Sequence, residues 1–384
     1  MGRRVFITVA EVSGDRHAAG LIRSLKQLDP DILIEGYGGP EMSAGGATIL
    51  KETVADAAMT HHGAKRIFEV SRLLKSATQY YRDTKPDLQI CVDSSAMNLH
   101  FARRAKEAGM PVLYYVAPQL WASREGRMKK LRADVDRLAC ILPFEEEYFR
   151  KHGVNATFVG HPLFDQLPLD RSRSSGPHFP HAPPVIGIVP GSRRSEVRAN
   201  LPHLLDVAQR IRTEFTGAQF LIPTTSTTDA LVKSLIGGAQ VTTGVKAFDQ
   251  FLPQCDLCLC KSGTSTLHVA AWGVPMIVVY RISPILWHVL GRWLIRSKKI
   301  ALVNILAGQI DLVPEFIPWY GSNQPVADCA IDMLKHPEKL SEQRAKLNAL
   351  VATLDRQGAS MNVARMAMEM MRGIEATAER SAMA

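Results

Sequence analysis

The sequence predicts two doubly wound α/β domains in tandem. Three observations carry this expectation. Short apolar runs alternate with helix-like segments along most of the chain, which is how parallel strands buried on both faces read. Residues 166–184 interrupt the alternation with "LPLDRSRSSGPHFPHAPP", rich in Pro, Ser and Arg and without periodicity. The length of 384 residues exceeds one comfortable core and suits two. The expected limits are a first domain over residues 1–165, a linker over 166–184 and a second domain over 185–345.

The elements follow in order. Val5 to Ala10 reads as a strand and "EVSGDRHAAGLIRSLKQ" as the helix it feeds. "ILIEGYGG" is a second strand, and "LQICVDSS" (Leu88 to Ser95) is another, followed by a helix from about Asn98 to Ala108. "PVLYYVAPQ", "RLACILP" and "ATFVGHP" continue the alternation. After the linker come "VIGIVPGSRRSEV", a helix to about Phe215, "AQFLIPT" and "CLCKSGTSTLHVAAWGVPMIVVYR". From Pro337 onward the pattern is helical, with Leu340, Leu347, Leu350 and Leu354 at helix spacing.

Composition narrows the class. Hydrophobic content of 46% with 22% charged residues is globular, and the net charge of +9 favours an anionic partner. The six cysteines include four in apolar runs, and the Cys255, Cys258, Cys260 group lacks a second ligand pair for zinc. Val5 to Ala10 is too short for the apolar core of a signal peptide, and no run approaches the roughly 20 residues of a spanning helix. Arg and Lys also cluster in "REGRMKKLR", but no helix-turn-helix, zinc finger or RNA-binding aromatic motif accompanies them, so nucleic acid is not an expected partner.

Open parallel sheets bind ligands beyond the carboxyl ends of their strands. Five polar turns take that position: "AEVSGD", "VDSSAMN", "VGHP", "PGSRRSE" and "KSGTST". In "PGSRRSE" a tight turn opens a helix whose free N–H groups attract phosphate, with Ser192 beside it and Arg193 as a clamp. "KSGTST" repeats the device with Ser262, Gly263 and Thr264. Each turn also reads as an ordinary capped helix start. Neither is a Walker motif, which argues against ATP hydrolysis. Asp93 ends an apolar strand, where a carboxylate serves either as a general base or as a helix cap. In "ISPILWHVLGRWLIRSKK" Leu286, Val289, Leu290, Trp293 and Leu294 form an apolar face at helical spacing, His288, Arg292, Arg296 and Lys299 form a basic line, and Trp287 with Trp293 makes a Trp pair. That composition suits an anionic membrane surface, or equally a packed helix with a solvated basic face.

Taken in order, "AEVSGDRHAAGLIRSLK", "GYGGPEMSAGG", "VDSSAMN", "YYVAPQLWASREGRMKKLR", "LPFEEEYF", "FVGHPLFD", "PGSRRSEV", "KSGTSTLHVA", "GVPMIVVYR" and "VNILAG" resemble the lipid-A-disaccharide synthase family, over residues 5 to about 316. The resemblance implies an inverting, metal-independent transferase of GT-B fold, its two Rossmann-like domains facing across a cleft, with no cofactor. It implies transfer of 2,3-diacylglucosamine from its UDP-linked form to 2,3-diacylglucosamine 1-phosphate on the inner face of the inner membrane. Asp93 matches the family's proposed base. Ser192, Arg193, Ser262, Gly263, Thr264, His268 and Asn304 match the UDP side. Ser13, Gly14, Asp15 and Asn98 match the acceptor side, and the Trp287–Arg296 segment matches the membrane contact. Terminal helices over about residues 350–384 are expected to return to the first domain.

The chain departs from the family pattern at four places. Ala10 stands for a usual Gly, "DSSAMN" for "DAPDFN", His268 for a Glu expected at the uridine ribose, and "AMTHHGAKR", before Ile67, for the usual "MG-x-x-E" version. A carboxylate accepts two hydrogen bonds from a diol, whereas a neutral imidazole offers one acceptor and one donor. Such departures leave two further readings: a non-catalytic homologue binding nucleotide-sugar or lipid, and a UDP-sugar transferase with another acceptor.

Overall fold

A computed structural model describes residues 2–54, 64–121, 125–168, 182–281, 299–355 and 357–382. The chain divides into two compact units. One comprises Met1–Gln166 with Leu354–Ala384, and the other Leu167–Thr353.

The first unit is built on a seven-stranded parallel sheet of order β3-β2-β1-β4-β5-β6-β7. Its strands are β1 (Arg4–Thr8), β2 (Leu33–Gly38), β3 (Thr48–Glu52), β4 (Leu88–Val92), β5 (Val112–Tyr115), β6 (Arg137–Cys140) and β7 (Ala156–Phe158). The helices between them are α1 (Val12–Leu28), α2 (Pro40–Ala44), α3 (Ala64–Thr84), α4 (Ser95–Glu107), α5 (Met128–Asp134) and α6 (Pro143–Lys151). Every residue of β4 is buried, as its unbroken apolar run requires. α1 buries Ala18, Leu21, Ile22 and Leu25, a stripe at helix spacing that packs on the sheet. β3, at the sheet edge, is mostly exposed, so its sequence "TILKE" carries no continuous apolar run.

The second unit repeats the plan with six parallel strands of order β10-β9-β8-β11-β12-β13. These are β8 (Val185–Val189), β9 (Gln219–Thr224), β10 (Thr242–Val245), β11 (Leu257–Lys261), β12 (Met276–Arg281) and β13 (Glu315–Trp319). Its helices are α7 (Arg194–Glu214), α8 (Asp229–Ile236), α9 (Phe248–Phe251), α10 (Ser265–Ala271), α11 (Leu302–Leu306), α12 (Gln324–Lys335) and α13 (Pro337–Leu354). Ile186, Ile188, Leu201, Leu204, Leu257 and Leu259 lie in one buried cluster between the sheet and α7. Cys258 and Cys260 are buried in β11.

The last helix, α14 (Ala359–Ala382), belongs to the first unit and packs on α1. Asp165 secures its start. The two carboxylate oxygens accept the Gly358, Ala359 and Ser360 amides at 2.7, 3.1 and 2.8 Å. Three orphan donors and the positive helix end meet one anion.

α6 carries a different carboxylate, buried rather than exposed. Glu145 is 1% exposed and accepts the Leu142 amide at 3.1 Å and the Trp121 indole at 3.0 Å. Burial, only partly offset by those donors, pushes its acid up to about 7. An acid with a folded pKa above its unfolded value binds more protons folded than unfolded between the two. Stability therefore falls as pH rises from about 4.5 to about 7, by on the order of 3 kcal/mol. The expected signature is a first unit that melts higher at pH 5 than at pH 7.5, with Glu145→Gln flattening that slope. Calorimetric scans across this range check it, and an unchanged slope in the variant contradicts the assignment.

Candidate active site

Each sheet reverses its winding once, between β1 and β4 in the first unit and between β8 and β11 in the second. Loops leaving such a strand pair diverge and open a crevice at the carboxyl edge. Four of the turns singled out in the sequence stand there. Ser13 to Asp15 follow β1, Asp93 follows β4, Pro190 to Glu196 follow β8, and Ser262 to Thr266 follow β11.

In the first unit, Asp93 and Ser94 have φ of +56° and +45°. Two consecutive non-glycine residues in the left-handed region cost about 1–3 kcal/mol each, so the surroundings must impose them. Tyr114 donates its hydroxyl to the Asp93 carbonyl at 2.6 Å. Asn98 donates its side-chain amide to the Val92 and Asp93 carbonyls at 2.8 and 2.9 Å. Asn98 is itself fixed by a buried chain in which Tyr81 donates to Gln89, Gln89 to Thr8, and Thr8 to the Asn98 oxygen. The turn is thus set from below by side chains that water does not reach.

The Asp93 carboxylate stays half-buried at the surface. Oδ1 accepts the Ser94 amide at 2.7 Å, and Oδ2 accepts the Ser13 hydroxyl at 3.2 Å. The helix-cap alternative is not what the carboxylate does, because it bonds its own neighbour's amide and Ser94 is the N-cap of α4. Gly14 allows the two loops to meet: a Cβ there would lie 3.0 Å from Val9 Cγ1 and 3.4 Å from Asp93 Cβ.

Two residues expected on the acceptor side are placed elsewhere. Asn98 is fully buried with its amide spent on backbone carbonyls, so it positions Asp93 rather than touching a ligand. Asp15 is 1% exposed and accepts the Gly39, Glu41 and Met42 amides at 3.0–3.1 Å, so it caps α2. Burial raises its acid, against the pull of those three donors.

In the second unit the first turn differs from its sequence-based expectation. The Ser192 and Arg193 amides, expected to await a phosphate, donate to Glu196 Oε2 at 3.1 and 3.3 Å. Gly191 makes room for this. Its φ is +122°, and a Cβ would come within 2.6 Å of Glu196. Glu196 Oε1 lies 2.9 Å from Lys261 Nζ, with side-chain exposures of 16% and 13%. Burial alone would raise the Glu196 acid, but Lys261, with help from Arg193, outweighs it and leaves the acid below its usual range. The Arg193 guanidinium is exposed and reaches Glu196 at 3.6 Å.

The second turn is built the opposite way. The Ser262 amide and hydroxyl turn inward, to the Val279 carbonyl at 2.8 Å and the Ile300 carbonyl at 3.4 Å. Ser262 is 7% exposed, so its hydroxyl does not serve a ligand as expected. Gly263, Thr264 and Ser265 follow, and their three successive amides find no protein acceptor among the described residues. Three adjacent donors without a protein acceptor are the kind of group an anion can engage. Lys261, over the Tyr280 ring at 5.2 Å, adds positive charge at this turn.

Two further donor-side expectations resolve differently. Asn304 is fully buried; its amide donates to the Val313 carbonyl and to Glu315 at 3.0 and 3.1 Å, and its oxygen accepts the Val313 amide at 2.9 Å. It shapes the loop instead of meeting a ligand. His268 lies 2.6 Å from Asp249 and stacks on Phe248. Trp287, Arg292, Trp293 and Arg296 lie outside the described residues. Glu196, Lys261 and Asp249 were not singled out as site residues. An acidic residue three past the N-cap was the available signal for Glu196; Asp249 had none.

The family profile described as lipid-A-disaccharide synthetase matches residues 5–370. A lipid-A-disaccharide synthase of Geobacter metallireducens is 36% identical over 96% of this chain and 97% of its own length. That of Nitrosococcus oceani is 33% identical over 96% of each. Among solved structures, Acinetobacter baumannii MurG has a TM-score of 0.57 at 16% identity, covering 96% of this chain and 99% of its own. The UDP-GlcNAc 2-epimerase of Neisseria meningitidis, bound to UDP-GlcNAc, has a TM-score of 0.59 at 11% identity, covering 97% and 100%. At such identity the likeness is one of fold. Family match, relatives and fold together place the chain in the lipid-A-disaccharide synthase family, glycosyltransferases of GT-B fold acting in lipid A biosynthesis.

Proposed function

We propose that the chain moves 2,3-diacylglucosamine from its UDP-linked form to the 6-hydroxyl of 2,3-diacylglucosamine 1-phosphate. The single observation that carries the reading is Asp93, a half-buried carboxylate on a strained turn at the β1/β4 reversal, oriented by Ser13 and the Ser94 amide. The acceptor oxygen attacks the anomeric carbon while Asp93 takes its proton. The bond from that carbon to the diphosphate breaks, and the electron pair leaves on UDP. Attack opposite the leaving group inverts the centre and gives the β-1,6 disaccharide.

The leaving diphosphate needs fixed positive ends where its charge develops. The amides of residues 263–265, Lys261 and Arg193 are suited to that task. The neighbours whose structures contain UDP or UDP-GlcNAc support a UDP-sugar as the donor. The Trp- and Arg-bearing sequence of residues 282–298 supports peripheral contact with an anionic membrane surface. Among the described residues no helix is long and apolar enough to cross a membrane.

Two variants separate the parts. In micelles, Asp93→Asn is expected to lower acceptor-dependent UDP release by about 10²- to 10⁴-fold, with calorimetric UDP affinity unchanged. Retained turnover in that variant sinks the base assignment. Lys261→Met strands Glu196 without its partner and removes charge from the turn. It is expected to weaken UDP binding by about tenfold; affinity within twofold of the parent removes Lys261 from the donor site.

A further inference from the structure

The proposed mechanism leaves the basic segment "REGRMKKLR" unused. The structure sets it against the flank of α4. Arg127 closes the 3₁₀ turn Glu125–Arg127, which runs straight into α5. Its Nη1 donates to the Ser95 hydroxyl at 3.1 Å, two residues beyond Asp93. Lys130 stands about one turn further along, on the same side as Arg127. Opposite them, His100 and Arg104 stand one turn apart on α4. Met128 and Leu131 are buried beneath the segment, as are Met97 and Phe101 beneath α4, so apolar packing holds the two basic rows side by side. The His100 imidazole registers the crowding. Burial is the first cause that lowers its pKa, and Lys130, Arg127 and Arg104 all push it further toward the neutral form.

Carboxylates balance only one end of this patch. Glu107 takes Arg103 and Arg104 at 3.0 and 2.7 Å, and Asp136 takes Lys106 at 2.7 Å. Asp134 lies near Arg103 and Lys130, and burial raises its acid despite their pull. Lys130 has no ion-pair partner among the described residues. Among those residues, the positive excess therefore sits at the end nearest Asp93.

We propose that Arg127, Lys130 and His100 form the subsite for the phosphomonoester of the acceptor sugar. The inference rests on the reading of Asp93 as base for the acceptor's 6-hydroxyl. A hexose with that hydroxyl at Asp93 carries its 1-phosphate across one pyranose ring. The patch begins at Ser95 and reaches His100 five residues on, about 7.5 Å along the axis of α4. A phosphate dianion is held best by cations that also donate hydrogen bonds. Arg127 offers a planar fork, Lys130 a compact charge on a flexible stem, and His100 a neutral ring with one N–H. The Ser95 bond ties the Arg127 fork to the Asp93 turn, so the hydroxyl and the phosphate of one substrate are read from one junction. These groups act on binding and orientation, since no bond to the acceptor phosphate breaks.

UDP release by the full chain in micelles tests this with two acceptors, 2,3-diacylglucosamine 1-phosphate and the same sugar without its phosphate. The parent is expected to favour the phosphorylated acceptor by about 100-fold or more in kcat/KM, because a site built for a charged group rejects the analogue lacking it. Lys130→Met, at an exposed position off the Asp93 turn, is expected to cut that preference by about tenfold, mainly through the acceptor KM. Lys130→Arg keeps the charge and should keep the preference. Adding Arg127→Met to Lys130→Met is expected to reduce the preference further. A preference that survives Lys130→Met and the double variant overturns the subsite, as does a parent that uses both acceptors equally. Weaker binding of Lys130→Met to anionic vesicles, with the preference intact, also overturns it and assigns the patch to lipid headgroups. A parent with no acceptor-dependent release overturns the transfer itself, which separates the two failures.

Discussion

Lys261 ends β11 with its ammonium 2.9 Å from Glu196, a residue contributed by the neighbouring turn. This pair ties together the two loops that leave the β8/β11 reversal. On one side Glu196 consumes the Ser192 and Arg193 amides. On the other, Lys261 leads through Ser262 into Gly263, Thr264 and Ser265, whose amides have no acceptor among the described residues. One turn is closed by an internal carboxylate and the other is left open. The pair decides which of two similar-looking turns can take an external anion. Its charges are also mutually dependent: the half-buried carboxylate is held below its usual range because the ammonium outweighs the cost of burial.

The first unit solves the matching problem with neutral groups. Its reversal lies between β1 and β4, and the turn after β4 holds two residues in the left-handed region. The opposing force is a file of buried hydrogen bonds from Tyr81 through Gln89 and Thr8 to Asn98, with Tyr114 alongside. An apolar core would leave the Val92 and Asp93 carbonyls without donors, at about 1–3 kcal/mol each. Asn98 meets that need and thereby aims Asp93. In both units, buried side chains with no ligand contact determine what the exposed loop atoms can do.

The sheets and the turns at their reversals were legible because parallel strands buried on both faces leave unbroken apolar runs. "LQICV" and "VIGIV" are examples. Edge strands β3 and β13 left no such run, since one side of each is wet or irregular. The motifs identified Asp93, but they could not say which way neighbouring polar residues face. Asn98, Asp15, Asn304 and Ser262 belong to site motifs and turn out to be buried. A short polar side chain at a strand end serves a ligand or a backbone carbonyl equally well, and only three-dimensional packing chooses. Asp249 was invisible because it comes to His268 from 19 residues away in sequence.

We propose that the backbone amides meeting the diphosphate are those of the turn after β11 and not those of the turn after β8, which contributes only the Arg193 guanidinium. Hydrogen exchange with mass-spectrometric readout, with and without UDP, tests it most directly. UDP is expected to slow exchange in peptides covering residues 263–265, whose amides lack a protein acceptor among the described residues, and to leave residues 192–193 nearly unchanged, because Glu196 already holds those amides. Protection at 192–193 with none at 263–265 would contradict it, and would mean that Glu196 gives way to the nucleotide.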